Sequence, residues 1–194
     1  MFDLESTAHR LTGHLLKNTP IEPVQKAKVE YGLSLLLGVG TELVLTVAVS
    51  ALFGTALYTL IIMLSALSLR LFTGGAHCSS FRRCSVFTMV CFIGFSFPVK
   101  TISTNMEFKT LMWISMLVVL VALPFIWKPK LFTLLIWSIF ASLPIIGLLT
   151  SPGTSWRILT LPVAAGLALQ ALMLSTLGRK IVLQSDKIMQ RLGI

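Results

Sequence analysis

Acidic residues and cysteines are scarce in this sequence. Only 7 of its 194 residues are Asp or Glu, whereas 16 are Lys or Arg, which gives a formal net charge of +9. The sequence has no carboxylate-rich metal site and no Gly-rich phosphate loop. Its three cysteines, Cys78, Cys84 and Cys91, match neither a secreted disulfide framework nor the usual zinc spacing. We therefore expect free thiols, no metal and no cofactor.

Charged residues as a whole are also few, at 12% of the chain, whereas 55% of the residues are hydrophobic. The mean hydropathy of +0.88 is that of an integral membrane protein, so we predict an all-α fold and a single membrane domain, 1–194. A signal peptide is not indicated, because Asp3 and Glu5 stand where positive charge is expected. We expect no segment to be removed.

The long apolar runs predict about six membrane helices. They cover residues 33–53, 55–69, 85–99, 111–127, 131–149 and 158–177. The second and third runs are short for a membrane span, so we interpret them as tilted or partly re-entrant segments.

The two ends of the chain have the pattern of helices at a membrane surface. In the segment 1–30, apolar residues recur at helical spacing at Leu4, Ala8, Leu11 and Leu15. The basic tail, 178–194, repeats apolar residues at Ile181, Ile188 and Leu192. We predict that both segments are amphipathic and lie against lipid.

The distribution of positive charge predicts the topology. With six spans and both termini inside, only Lys100, Lys109 and Arg157 of the 16 basic residues lie outside. The positive-inside rule favours this orientation, which places the segment 70–84 on the cytoplasmic side of a cell membrane. The basic surplus is then explained without nucleic acid.

Glu42 is an acidic residue inside the first apolar run. A carboxylate in the membrane is costly unless it is protonated or paired, so it is a candidate functional residue. Two interpretations stay open: Glu42 orients His77 as a third catalytic group, or it is a neutral residue that fixes helix packing.

A polar segment, 70–84, separates two apolar runs and holds the candidate active site. His77 and Cys84 are seven residues apart, which on a straight helix separates them by about 10 Å along the axis. A catalytic hydrogen bond needs about 3 Å. The chain must therefore bend between them, with Cys84 opening a helix, His77 in the segment before it, and Gly74 and Gly75 as a pivot. Amides near such a turn would form an oxyanion hole.

Arg70, the sequence Gly74-Gly75-Ala76-His77 and Cys84 together resemble the signature of the accessory gene regulator B family, membrane cysteine endopeptidases of Gram-positive quorum sensing. The resemblance implies that His77 and Cys84 are catalytic and that Arg70, Gly74 and Gly75 support them. It implies an AgrD-like propeptide substrate with an amphipathic leader and an acidic tail. Cleavage would give a thioester acyl-enzyme and then a thiolactone autoinducer. A homodimer is also suggested.

A non-enzymatic membrane protein, such as a small transporter or a peptide-export partner, is the alternative. It is favoured by Glu42 and by prolines within the apolar runs, whereas no inverted repeat supports it. The role of Cys78, a second thiol next to His77, is open.

Overall fold

The computed structural model describes residues 4–17, 21–122, 131–149 and 154–193, and they form helices without strands. The eight helices of this part of the chain are α1 (Leu4–Leu15), α2 (Pro23–Leu52), α3 (Ala56–Thr73), α4 (Phe81–Asn105), α5 (Phe108–Ala122), α6 (Leu131–Leu149), α7 (Thr154–Leu174) and α8 (Thr176–Arg191). The predicted all-α membrane fold is confirmed.

Helices long and apolar enough to cross a membrane number four among the described residues: α2, α3, α4 and Trp156–Leu174 of α7. Two shorter apolar stretches are Phe108–Ala122 and Trp137–Gly147. The second and third runs, predicted as tilted or partly re-entrant segments, lie in the continuous helices α3, with 18 residues, and α4, with 25. Their tilt and depth in the membrane stay a prediction. The polar residues that flank each run continue the helix, and hydropathy alone does not count them.

Contacts divide the chain into two compact units, Met1–Leu45 and Thr46–Ile194. In the first unit, α1 is a separate helix, and His9 Nδ1 lies 2.9 Å from Glu30 Oε1 on α2. The predicted N-terminal helix with its apolar stripe from Leu4 to Leu15 is α1, and α2 begins at Pro23. The position of the segment 1–30 at a membrane surface stays a prediction. The single membrane domain stays a prediction.

Helix α7 is the centre of the second unit, where it packs against α3, α4, α5, α6 and α8. One apolar cluster joins Leu69 of α3 and Val119 of α5 to Leu167 of α7, and another joins Ile62 to Leu111. Gly166 of α7 faces the backbone of α3 so closely that a Cβ there would collide with Ser65 and with the carbonyl of Ile62. This close approach of α3 and α7 holds the end of α3, from which the candidate site begins.

Helix α8 is the predicted basic tail helix. Its N-cap is Ser175, whose hydroxyl accepts a hydrogen bond from Gly178 N. Val182 and Met189 are buried, whereas Ile181 and Ile188 are exposed. One face of α8 therefore packs against α4 and α7, and the predicted apolar stripe is left at the surface.

Candidate active site

The segment that carries the candidate site is the connection between α3 and α4. Helix α3 ends at Thr73, and Gly74 follows with φ of +69°, a conformation that favours glycine. Helix α4 begins at Phe81 after the N-cap Ser80, whose hydroxyl accepts from Arg83 N. His77 thus lies in the non-helical connection, and Cys84 lies in the first turn of α4. The predicted break between them, with Cys84 opening a helix, is confirmed.

Cys84 has the surroundings of a helix N-terminus. Its amide donates to Ser80 O at 3.0 Å, which closes the first turn of α4. A helix N-terminus favours negative charge, because its first amides have no acceptor within the helix and the peptide dipoles point their positive end there. A thiolate is a stronger nucleophile than a thiol, so this end of a helix suits a reactive cysteine.

Arg70 lies against the His77 ring. Its Nη2 is 3.2 Å from Nδ1 and 3.3 Å from Nε2, and 3.4 Å from the Ala76 carbonyl oxygen. The two ring lone pairs point in divergent directions, so one nitrogen at nearly equal distance from both lies over the ring. The structure therefore gives Arg70 a specific contact with the candidate base.

Gly75 is packed against Arg70. A Cβ at this position would lie 3.4 Å from Arg70 Cζ, which is tighter than most such contacts. Gly74 and Gly75 thus serve the connection differently: Gly74 supplies the positive φ that ends α3, and Gly75 leaves room for the guanidinium.

Cys78 and Cys84 line the same small cavity of about 30 Å³, together with Arg70 and Gln170. Both cysteines are free thiols and do not form a disulfide. The pKa of Cys78 is raised from 9.0 to about 11, chiefly by burial and also by the neighbouring Cys84 and Asp186, whereas Arg83 lowers it by a smaller amount. Cys78 is therefore a neutral thiol at physiological pH.

Two side chains from the C-terminal part of the chain hold the connection between α3 and α4. Gln170, which is buried in α7, donates from Nε2 to Gly74 O at 2.8 Å and to Thr73 Oγ1 at 3.3 Å. Asp186 of α8 accepts from both the amide and the hydroxyl of Ser79, and from Arg83 Nη1, at 3.2 Å each. The first contact fixes the beginning of the connection and the second fixes its end.

The pKa of Asp186 is lowered from its ordinary 3.8. Desolvation acts to raise it, but the hydrogen bonds from Ser79 and Arg83 and the positive charge of Arg83 outweigh that effect. Asp186 is therefore a carboxylate at any physiological pH.

Sequence reasoning missed both of these anchoring residues, although each left a signal. Gln170 is an amide in the middle of an apolar run, and Asp186 is the only acidic residue after Glu107. Neither feature identifies the residues that Gln170 and Asp186 contact, because those residues lie about a hundred positions away in the sequence.

The other predicted site residue, Glu42, lies in the first compact unit. Its Oε1 is buried and has no hydrogen-bond partner among the described residues. The predicted role of Glu42 as orienting acid stays a prediction. No group of three or more His, Cys, Asp or Glu residues that could hold a metal occurs in the part of the chain that the structure describes.

The fold and the Cys/His segment define a polytopic α-helical membrane protein with a candidate thiol site at the start of a membrane helix. The family model described as Accessory gene regulator B matches residues 8–130. This is more than half of the chain, which therefore belongs to the accessory gene regulator B family. Membership links it to the accessory gene regulator system of quorum sensing.

A curated relative agrees with this assignment. The protein named Accessory gene regulator protein B from Staphylococcus lugdunensis is 28% identical over 105 residues, which is 54% of this chain and 56% of the relative. The chain thus matches about half the length of that relative. No solved structure matches the chain.

Proposed function

We propose that this protein is a membrane cysteine endopeptidase that processes an accessory gene regulator propeptide. The observation that carries the proposal is the placement of Cys84 in the first turn of α4, beside a connection in which Arg70 contacts His77. Family membership supports an AgrD-like propeptide as the substrate. An amphipathic leader and an acidic C-terminal tail on that peptide are part of the proposal.

In the first chemical step, a ring nitrogen of His77 takes the proton from Cys84 Sγ. The thiolate attacks the carbonyl carbon at the cleavage position, and the resulting oxyanion is held by backbone amides. The amides of Phe81 and Arg82 are the candidates, because the first amides of a helix have no acceptor within it. The C–N bond then breaks, the tail leaves as an amine with the proton from His77, and a thioester with Cys84 remains.

In the second step, the thiol of a cysteine within the bound peptide attacks the thioester carbonyl. The new thioester closes a thiolactone ring, and Cys84 leaves as a thiolate that is reprotonated. One thioester replaces another, so the exchange is nearly balanced in energy, whereas hydrolysis would discard the activated acyl group. A site partly shielded from water favours the exchange.

Arg70 and the arginines at the start of α4 are positively charged groups near the proposed nucleophile, which suits a substrate with an acidic tail. In the structure, however, Arg83 is already paired with Asp186 at 3.2 Å, and Arg70 contacts His77. Arg82, which is exposed, is therefore the best candidate for contact with the acidic tail.

The experiment that tests the proposal is thiol mapping in membranes at neutral pH. Alkylation rates of Cys78, Cys84 and Cys91 are compared in the parent protein and in His77→Ala, and cleavage of the propeptide is followed in Cys84→Ser. We expect Cys84 to react fastest, to slow when His77 is removed, and to be required for cleavage. If Cys78 is the reactive thiol, the nucleophile assignment is wrong. If no thiol responds to His77, the peptidase proposal is wrong.

The alternative function, a small membrane transporter or peptide-export partner, is favoured by one observation. Glu42 has a buried oxygen without a hydrogen-bond partner in the described residues, within a membrane-spanning helix. Such a carboxylate is typical of ion or proton pathways. Glu42→Gln separates the candidates: a transporter loses export, whereas a peptidase in which Glu42 only supports packing keeps cleavage.

The inside location of both termini and the homodimer are parts of the proposal that cysteine labelling and cross-linking would test.

A further inference from the structure

The contact between α8 and the end of the active-site connection is made by one carboxylate. Asp186 Oδ1 accepts from Ser79 N, Ser79 Oγ and Arg83 Nη1, and Arg83 also donates to Ser79 Oγ. The side chains of Arg83 and Asp186 are only 17% and 14% exposed. Charge-assisted hydrogen bonds in such a partly shielded position are stronger than those between neutral groups. We call this group of three residues the Asp186 latch.

The latch acts on the stretch that joins the two proposed catalytic residues. Ser79 lies between His77 and Cys84 in sequence, and Arg83 immediately precedes Cys84. Arg83 is held twice, because its amide donates to the N-cap hydroxyl of Ser80 while its guanidinium binds Asp186. The latch therefore fixes both the path of the connection and the first turn of α4.

We propose that Asp186 is a positioning residue of the active site, which holds the Ser79–Arg83 stretch and thereby sets the position of Cys84 relative to His77. This inference rests on the proposed peptidase function and deepens it. It makes α8 a part of the site, although α8 lies outside the residues 8–130 that match the family model.

A purely structural role for Asp186 would have a different signature. Helix α8 is held by its buried apolar side chains, Val182 and Met189, and by the close approach of Gly178 to α7. These contacts do not involve Asp186. Removing the carboxylate is therefore expected to loosen the connection between α3 and α4 while α8 stays packed.

The first test needs no substrate. Hydrogen exchange of the amides in residues 74–84 is compared in detergent-solubilised parent protein, Asp186→Ala, Asp186→Asn and the control Lys187→Gln. Lys187 is the exposed neighbour on the same helix. We expect faster exchange in Asp186→Ala, a smaller change in Asp186→Asn, whose amide oxygen still accepts from Ser79, and none in Lys187→Gln. If amide exchange is unchanged in Asp186→Ala, or changes equally in Lys187→Gln, the proposed role of Asp186 is wrong.

The second test is the kinetics of propeptide cleavage by the same proteins. We expect Asp186→Ala to lower kcat by about 10- to 100-fold with little change in KM, because misplacement of reacting groups costs rate rather than binding. The slowing of Cys84 alkylation by His77→Ala should also disappear in the Asp186→Ala background. If His77→Ala still slows Cys84 alkylation fully in the Asp186→Ala background, and if Asp186→Ala keeps the parental kcat, Asp186 does not position the pair.

The two tests separate failure of this inference from failure of the proposed function. If the parent protein does not cleave the peptide, the peptidase proposal is wrong, and the exchange data alone decide whether Asp186 holds the connection. If the parent cleaves and Asp186→Ala behaves like Lys187→Gln, the peptidase stands and the positioning role is wrong.

Discussion

Gln170 on α7 donates a 2.8 Å hydrogen bond from Nε2 to the carbonyl oxygen of Gly74, the residue that directly follows α3. Gln170 is 97 residues from Thr73, with which its amide also makes contact, and it is only 3% exposed. A buried amide in a membrane helix needs such partners, because no water is available there to replace them. The contact ties the beginning of the active-site connection to the central helix.

Replacement of Gln170 by Leu should therefore destabilise the protein. The change removes the hydrogen bonds that the Gln170 amide donates to Gly74 O and to Thr73 Oγ1. Because Gly74 O is left with a weaker partner, we expect the free energy of unfolding to fall by about 1–3 kcal/mol. Thermal unfolding in detergent would measure the loss, with Gln184→Leu at an exposed position of α8 as the control. Equal stability of the Gln170 and Gln184 variants would contradict the anchoring role.

Gly166→Ala should weaken the packing of α3 on α7. The added Cβ would collide with Ser65 Oγ and with the carbonyl oxygen of Ile62, so the two helices must move apart. We expect a loss of about 1–3 kcal/mol, typical of overpacking in a close-packed core. Gly94→Ala is the matched control, because Gly94 is also helical and a Cβ there meets nothing within 4 Å. The same thermal unfolding measurement compares both, and a stable Gly166→Ala protein would argue against the close helix approach.

Arg70→Lys should reduce propeptide cleavage strongly. Lysine keeps the charge but cannot place a planar group over the His77 ring while reaching the Ala76 carbonyl. We expect cleavage to fall by about 10- to 100-fold, as for other misplaced catalytic groups. Arg179→Lys, which changes an exposed arginine of α8, should have little effect. If both variants cleave the propeptide at the parental rate, the positive charge of Arg70 is sufficient and the shape of its guanidinium is not required.

Alkylation of Cys78 should have an unusual pH dependence. Its pKa is about 11 rather than 9.0, so about one thiol in a thousand is ionised at pH 8 instead of about one in ten. The rate should therefore keep rising about tenfold per pH unit from pH 8 to pH 10, where an ordinary thiol levels off. Mass spectrometry of the labelled peptide measures the profile.

The Asp186→Asn variant provides a check on the pH dependence of Cys78 alkylation. Asp186→Asn removes a negative charge that raises the pKa of Cys78, so the curve should move to lower pH. A Cys78 profile that levels off near pH 9 in the parent protein would contradict the shielded environment of this thiol.

Much of the architecture follows from the sequence. Apolar runs long enough for a membrane predict helices, because a backbone in lipid must satisfy its own hydrogen bonds. The polar segment with Gly74 and Gly75 predicts the break before Cys84, since His77 and Cys84 cannot meet on a straight helix. The ends of α3 and α4 do not follow from the apolar runs, because polar residues such as Arg70 and Arg82 continue each helix beyond its run.

Local sequence therefore determined the helices, the turn at Gly74 and the place of Cys84 at a helix start, because each depends on residues that are close neighbours in the chain. Tertiary structure decided the rest. The contact of Arg70 with His77 and the hydrogen bonds of Gln170 and Asp186 depend on how α3, α4, α7 and α8 pack. A side chain in the sequence shows what it can donate or accept, whereas its partner is chosen only when folding brings distant helices together.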